Sequence, residues 1–209
     1  MKHPYKMIEL VLLFVLLPVS YVLDYSIWIK IVLTIIGFSY VVWILLRVEK
    51  LPFKVNERIA WWSFWKRTLI QLSIIALVTT ATMYFFKKEL LFNVLLNKPL
   101  LYIIILFVYS FLSVYPQELI YRTFFFQRYE KFFSSSMQLI FVNATLFSLA
   151  HLFFELNRPL VLTLTFIGGL LFAYTFQKTR STLLVSIEHA IYGSWLFTVG
   201  IGGMLGFPS

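Results

Sequence analysis

The chain has 209 residues, of which 60% are apolar, 20% aromatic and 13% charged, whereas an ordinary soluble domain is about half apolar and a quarter charged. That composition excludes a soluble globular protein and points to one membrane-embedded unit, with no stretch polar enough to form a separate water-exposed domain. The absence of cysteine excludes a disulfide framework, a thiolate metal site and a cysteine nucleophile. The net charge of +9 is dispersed between apolar runs rather than gathered on one face, which argues against nucleic acid and for a topology signal.

A helical crossing needs roughly 20 mostly apolar residues to span a ~30 Å hydrocarbon core. Seven candidate spans follow in chain order, at about 7–22, 26–46, 68–86, 100–126, 136–154, 160–176 and 181–205. The first follows a basic N-terminus but has no small-x-small cleavage site behind it, so it reads as an anchor rather than a removed signal. Lys30 interrupts the second span and Pro116 is expected to divide the fourth. Trp61, Trp62, Phe64, Trp65, Lys66 and Arg67 form an aromatic belt entering the third. A cytoplasmic N-terminus places Lys2, Lys6, Arg47, Lys50, Lys54, Arg58, Lys66, Arg67, Arg128, Lys131, Lys178 and Arg180 inside. It leaves only Lys30, Lys87, Lys88, Lys98 and Arg158 outside, as the positive-inside rule requires. No 20–50 residue repeat is visible, nor any matching pair of broken helices of the kind many transporters carry. The predicted fold is an all-α polytopic membrane bundle of about seven transmembrane helices in one membrane domain, with residues 1–98 as supporting helices and a core at 99–209.

Ionisable groups inside spans cost several kcal/mol each, so they face a protein interior and mark function. Here they fall in the C-terminal half: Gln117, Glu118 and Arg122 in the fourth span, Asn143 and His151 in the fifth, Glu188 and His189 in the seventh. Glu118 and Arg122 share a helix face and can pair, leaving one carboxylate oxygen for other work. Phe147 and His151 have the same four-residue spacing, with Asn143 two turns before the histidine. Counting ~1.5 Å per residue from the cytoplasmic ends puts Glu118 about 15 Å deep, His189 about 12 Å and His151 about 22 Å. Convergence of the three therefore needs a tilted fifth helix or a loop that dips into the membrane at His151.

A carboxylate and two imidazoles around a small polar cavity can activate water and stabilise the oxyanion formed when a peptide carbonyl is attacked. No His-Glu-x-x-His helix is present, but Glu118, His151 and His189 could supply a three-ligand zinc site with one open position. Serine catalysis is disfavoured, because Ser186 and Ser194 near His189 lie in no Gly-x-Ser-x-Gly elbow.

Gln117-Glu118-Leu119-Ile120-Tyr121-Arg122 resembles the Glu-Glu-x-x-x-Arg motif of the CAAX prenyl protease and bacteriocin-processing (CPBP, or Abi) family of intramembrane proteases. Phe147-Ser148-Leu149-Ala150-His151 is similar to its Phe-x-x-x-His motif, and His189-Ala190 resembles its third. The order and spacing fit over residues 100–205. Two positions depart: the first glutamate of the pair is Gln117, and the asparagine usual four residues after the third-motif histidine is Gly193. The resemblance implies an intramembrane endopeptidase acting on a membrane-associated protein or peptide in the lipid bilayer of the cell membrane. Glu118 and His151 would activate water, His189 would assist the oxyanion, and Arg122 and Gln117 would lie beside them. Asn143, Glu188 and Phe147 are secondary candidates. Two other readings stand beside it: a catalytically silent relative that binds a membrane protein or peptide, and a transporter using Glu118 and Glu188 as proton-relay groups.

Overall fold

Three helices begin where a serine hydroxyl takes up an otherwise orphaned backbone N–H: Ser26 accepts from Trp28, Ser135 from Gln138 and Ser181 from Leu184. The computed structural model describes residues 4–50, 60–154 and 158–205. Lys2, Lys54 and Arg58, used for topology above, lie outside the described residues. The long helical segments are α1 over residues 4–20, α2 Ile27–Val48, α3 Trp61–Phe86, α4 Pro99–Phe132, α5 Ser136–Leu149, α6 Arg158–Thr179 and α7 Thr182–Thr198, and no strand occurs among the described residues. α2, α3, α4 and α6 are long and apolar enough to cross a membrane by length and composition, while α5 and α7, at 14 and 17 residues, are shorter. The protein is an all-α membrane bundle. Large apolar side chains such as Trp28, Leu77, Phe85 and Leu112 stay exposed, as they do where hydrocarbon rather than water is the solvent.

Three boundaries differ from the sequence expectation. Pro116 does not divide the fourth span. It follows a π-helical turn over Tyr109–Val114, closed by the Tyr115 N–H on the Ser110 carbonyl, and a second such turn covers Leu119–Phe124. Widening the helix accommodates a ring that has no N–H to offer and would otherwise press on the preceding turn. α5 stops at Leu149, and the chain then makes tight turns, with the His151 N–H on the Ser148 carbonyl. α7 stops at Thr198 rather than near Leu205, where Gly200 takes φ 87° and a short 3-10 turn follows. Lys30 is tolerated because its ammonium reaches back to the Tyr21 carbonyl at 2.8 Å, keeping the charge at the helix end.

The core is aromatic. Phe14 of α1 is fully buried and meets Tyr121, Phe125 and Tyr129 of α4 edge to face, at centroid distances of 5.2, 5.2 and 6.0 Å, contacts worth about 0.5–1.5 kcal/mol each beyond area burial. Below that cluster Arg128 grips both oxygens of Glu9 at 2.8 Å and reaches Glu49 at 2.9 Å, while the Tyr129 hydroxyl donates to Glu9. The first helix is thus tied to α4 by charge as well as by packing. α5 and α6 approach closely at Gly169, where a Cβ would stand 3.0 Å from Ala144 Cα. α6 reverses into α7 through Arg180, which adopts the left-handed φ of 50° that commonly ends a helix. Its guanidinium is anchored on Glu130 at 2.6 and 2.8 Å.

Candidate functional site

Glu118 and Arg122 lie one turn apart on α4, and both are 0% exposed. Arg122 Nε stands 3.2 Å from Glu118 Oε2. The guanidinium also donates to Asn143 Oδ1 of α5 at 2.7 Å, and the Asn143 amide donates to the Tyr121 carbonyl at 2.6 Å. The cation lies over the Phe147 ring at 4.7 Å and the Phe172 ring at 5.9 Å, an arrangement that stabilises a charge withdrawn from water. Asn143 and Phe147 therefore hold Arg122, and Arg122 helps to hold Glu118.

The other carboxylate oxygen is also engaged. His189 Nδ1, on α7, lies 2.7 Å from Glu118 Oε1. An ionised carboxylate only accepts, so Nδ1 carries the proton and Nε2 is the nitrogen left for chemistry. The imidazole is fixed by stacking on Phe172, with centroids 4.3 Å apart and planes 22° from parallel, and by the edges of Phe147 and Tyr109 at 5.8 and 5.9 Å. His151 sits in the turn just beyond α5. Its Nδ1 donates to the Phe147 carbonyl at 2.7 Å, which folds the ring back against its own helix and leaves the Nε2 lone pair. Phe147 contacts both imidazoles, lying 4.8 Å from His151.

Both histidines line one cavity of about 350 Å³. Tyr109, Ser113 and Gln117 of α4 and Gly193 of α7 share its polar wall. Ile74, Ile75 and Val78 of α3 and Leu164, Ile167, Gly168 and Leu171 of α6 form an apolar one. Gln117 Nε2 donates to Ser113 Oγ at 2.8 Å, while its Oε1 is buried without a protein partner. Among the described residues no carboxylate lines this cavity. Glu118 stands behind His189 rather than beside it.

Glu188 belongs elsewhere. Its Oε1 accepts from the Tyr192 hydroxyl at 3.1 Å, and that hydroxyl also reaches Gln71 at 2.8 Å, while Arg67 donates to Thr175 at 2.9 Å. This second polar cluster ties α3 to α6 and α7. Glu118 and Glu188, paired above as relay candidates, thus have different hydrogen-bond partners. The zinc expectation for Glu118, His151 and His189 does not fit the donors: among the described residues no three His, Cys, Asp or Glu are grouped to hold a metal ion. Both oxygens of Glu118 already face His189 and Arg122.

The sequence reading missed Tyr109, Ser113 and Phe172. The first two were visible as a polar stripe, since Tyr109, Ser113 and Gln117 recur every four residues in an otherwise apolar helix. Phe172 gave no signal among the chain's 23 phenylalanines.

A bundle of apolar helices that encloses two cavity-facing imidazoles, one backed by a buried ion pair, defines an all-α membrane bundle with a polar cavity in its interior. Residues 99–195 match the family model described as type II CAAX prenyl endopeptidase Rce1-like, and over that stretch the chain is similar to the CAAX prenyl protease (CPBP) family. No curated protein and no solved structure matches the chain.

Proposed function

We propose that the chain is an intramembrane endopeptidase that hydrolyses a peptide bond of a membrane-associated protein or peptide, with His151 as general base. The observation that carries this reading is the pair of imidazoles from separate segments on one cavity wall, each with Nδ1 occupied and Nε2 left to a ligand. Nε2 of His151 removes a proton as water adds to the scissile carbonyl carbon, and Gln117 Oε1 accepts the other water hydrogen and orients the attack. His189 acts here as the imidazolium, with Nδ1–H held on Glu118 and Nε2–H donating to the resulting oxyanion. Collapse breaks the C–N bond, and the proton held on His151 passes to the departing amine. This departs from the sequence expectation in one respect: Glu118 positions and balances His189 rather than taking the proton from water. The charge distribution supports a cytoplasmic N-terminus in the cell membrane, with the segment before residue 99 supporting the core.

The test uses a quenched fluorogenic peptide with a farnesylated C-terminal cysteine motif, supplied in phospholipid vesicles holding the purified chain. His151→Ala and His189→Ala each lower kcat by about 10²–10⁴, the usual worth of general acid–base catalysis. Unchanged turnover in both variants sinks the proposal. A second reading, a catalytically silent relative that binds a membrane peptide, is favoured by the lack of any carboxylate on the cavity wall among the described residues. Gln117→Glu separates the two: cleavage appearing only in that variant supports the silent reading, and robust parental cleavage removes it.

A further inference from the structure

Gly193 lies one turn after His189 on the same face of α7 and lines the same cavity. The room a side chain there would occupy is filled from α4. A Cβ built on Gly193 collides with the phenol of Tyr109, the oxygen first and Cζ next, with the ring carbon Cε1 only 2.6 Å away. The Tyr109 hydroxyl therefore occupies the space in which the first atoms of a residue 193 side chain would stand on the cavity wall, and its ring stands edge-on to His189 at 5.9 Å. The placement is fixed. Tyr109 is 6% exposed, its ring packs edge to face on Phe197 at 4.7 Å, and it opens the π-helical turn Tyr109–Val114. Such a turn re-aims a side chain by inserting one residue into the helix.

We propose that Tyr109 is a catalytic residue that donates its phenolic hydrogen to the oxyanion beside His189, taking over the cavity position that Gly193 leaves without a side chain. Two donors from different helices then converge on one point, His189 Nε2–H from α7 and Tyr109 Oη–H from α4. Such preorganised pairs are what an oxyanion developing in a water-poor site requires. A phenol suits the task because it donates while remaining neutral, so it adds no further charge to a wall that already has Arg122 behind it. The glycine is required by the same geometry, since any larger residue at 193 would displace the phenol.

This inference rests on the hydrolytic reading, and its test separates the two. Tyr109→Phe keeps the ring, the packing on Phe197 and the fit against Gly193, and removes the phenolic hydroxyl. In the vesicle assay with the farnesylated peptide, kcat falls about 100-fold while KM and thermal unfolding stay at parental values. A peptide aldehyde that presents its hydrate to the site loses affinity in the variant, whereas uncleaved substrate does not. In the pair Tyr109→Ala with Gly193→Asn, the freed space admits an amide donor and recovers part of the activity lost in Tyr109→Ala alone. A Tyr109→Phe variant that keeps the full rate in a chain that cleaves overturns the role of the phenol and leaves the hydrolytic reading intact. A parental chain that cleaves nothing removes both.

Discussion

The Glu118–Arg122 pair permits a quantitative test of the site's construction. With 3.2 Å between Nε and Oε2, the Coulombic attraction is about 5 kcal/mol at an effective dielectric constant near 20, largely offset by the cost of taking both ions out of water. Removing one partner exposes that cost, typically about 3–5 kcal/mol for a buried pair. Arg122→Met retains much of the volume under Phe147 and Phe172 but leaves Glu118 facing only His189 and orphans Asn143 Oδ1. Glu118→Gln leaves the guanidinium without its counter-charge. Each variant should lose about 3–5 kcal/mol. The double variant should lose at least about 2 kcal/mol less than the two summed, because neither unbalanced charge remains. Reversible unfolding in mixed micelles, followed through the six tryptophans, measures all four states. Single variants within about 0.5 kcal/mol of the parent, or strict additivity, would refute the claim that this pair is a coupled, water-excluded unit.

Two further outcomes use the same unfolding assay. Gly169→Val should destabilise by about 1–3 kcal/mol through overpacking, because a Cβ at 169 already comes within 3.0–3.2 Å of the Ala144 backbone and Cβ; a neutral result would mean that α5 and α6 do not pack there. Arg128→Leu should cost about 3–5 kcal/mol by stranding Glu9, whereas Arg180→Ala, which breaks the half-exposed pair with Glu130, should cost under about 1 kcal/mol, and a reversed order would contradict the burial assigned to the two arginines.

Much of the helical framework is legible in the sequence because apolar run length speaks directly to the bilayer, and α2, α3, α4 and α6 fall where hydropathy places them. What hydropathy does not encode is the end of a helix that stays apolar. α5 turns at Leu149 with the bulky apolar residues Leu152, Phe153 and Phe154 still ahead of it, so hydropathy overestimates its length and misses the turn that carries His151. Pro116 departs from expectation for the complementary reason: a proline rule assumes α-helical hydrogen bonding, and the neighbouring π-turns relax it. At the site, the four-residue spacing of Glu118 and Arg122 foretells their contact. The 2.7 Å bond from Glu118 to His189 joins positions 71 residues apart, and no local pattern carries such a pairing. Glu188 shows the opposite case, since adjacency to His189 in sequence places it about 100° round the helix, and there it meets Tyr192 instead of the cavity.

The division between a wall without carboxylates and an ion pair behind it bears on what the cavity can accept. A carboxylate facing an apolar chamber must keep water with it or lose its charge, since desolvation penalises the ionised form. Here the charge is carried one layer deeper, where Glu118 is neutralised by Arg122 and spoken for by His189, and the surface offered to a ligand is imidazole, amide, hydroxyl and hydrocarbon. Such a wall can be wetted by the single water that the proposed hydrolysis would consume without drawing in a solvent column that would expel an apolar ligand. The lack of a carboxylate on the wall makes Gln117 intelligible as an acceptor that orients water, because an added carboxylate at 117 would place a second negative charge one residue from Glu118. Gln117→Glu therefore carries a cost in stability set against a gain in base strength, and the balance between them is read by measuring unfolding and cleavage on the same preparation. A variant that is both less stable and more active would locate the limiting element in proton removal. One that is less stable and no more active would leave His151 as the base that matters.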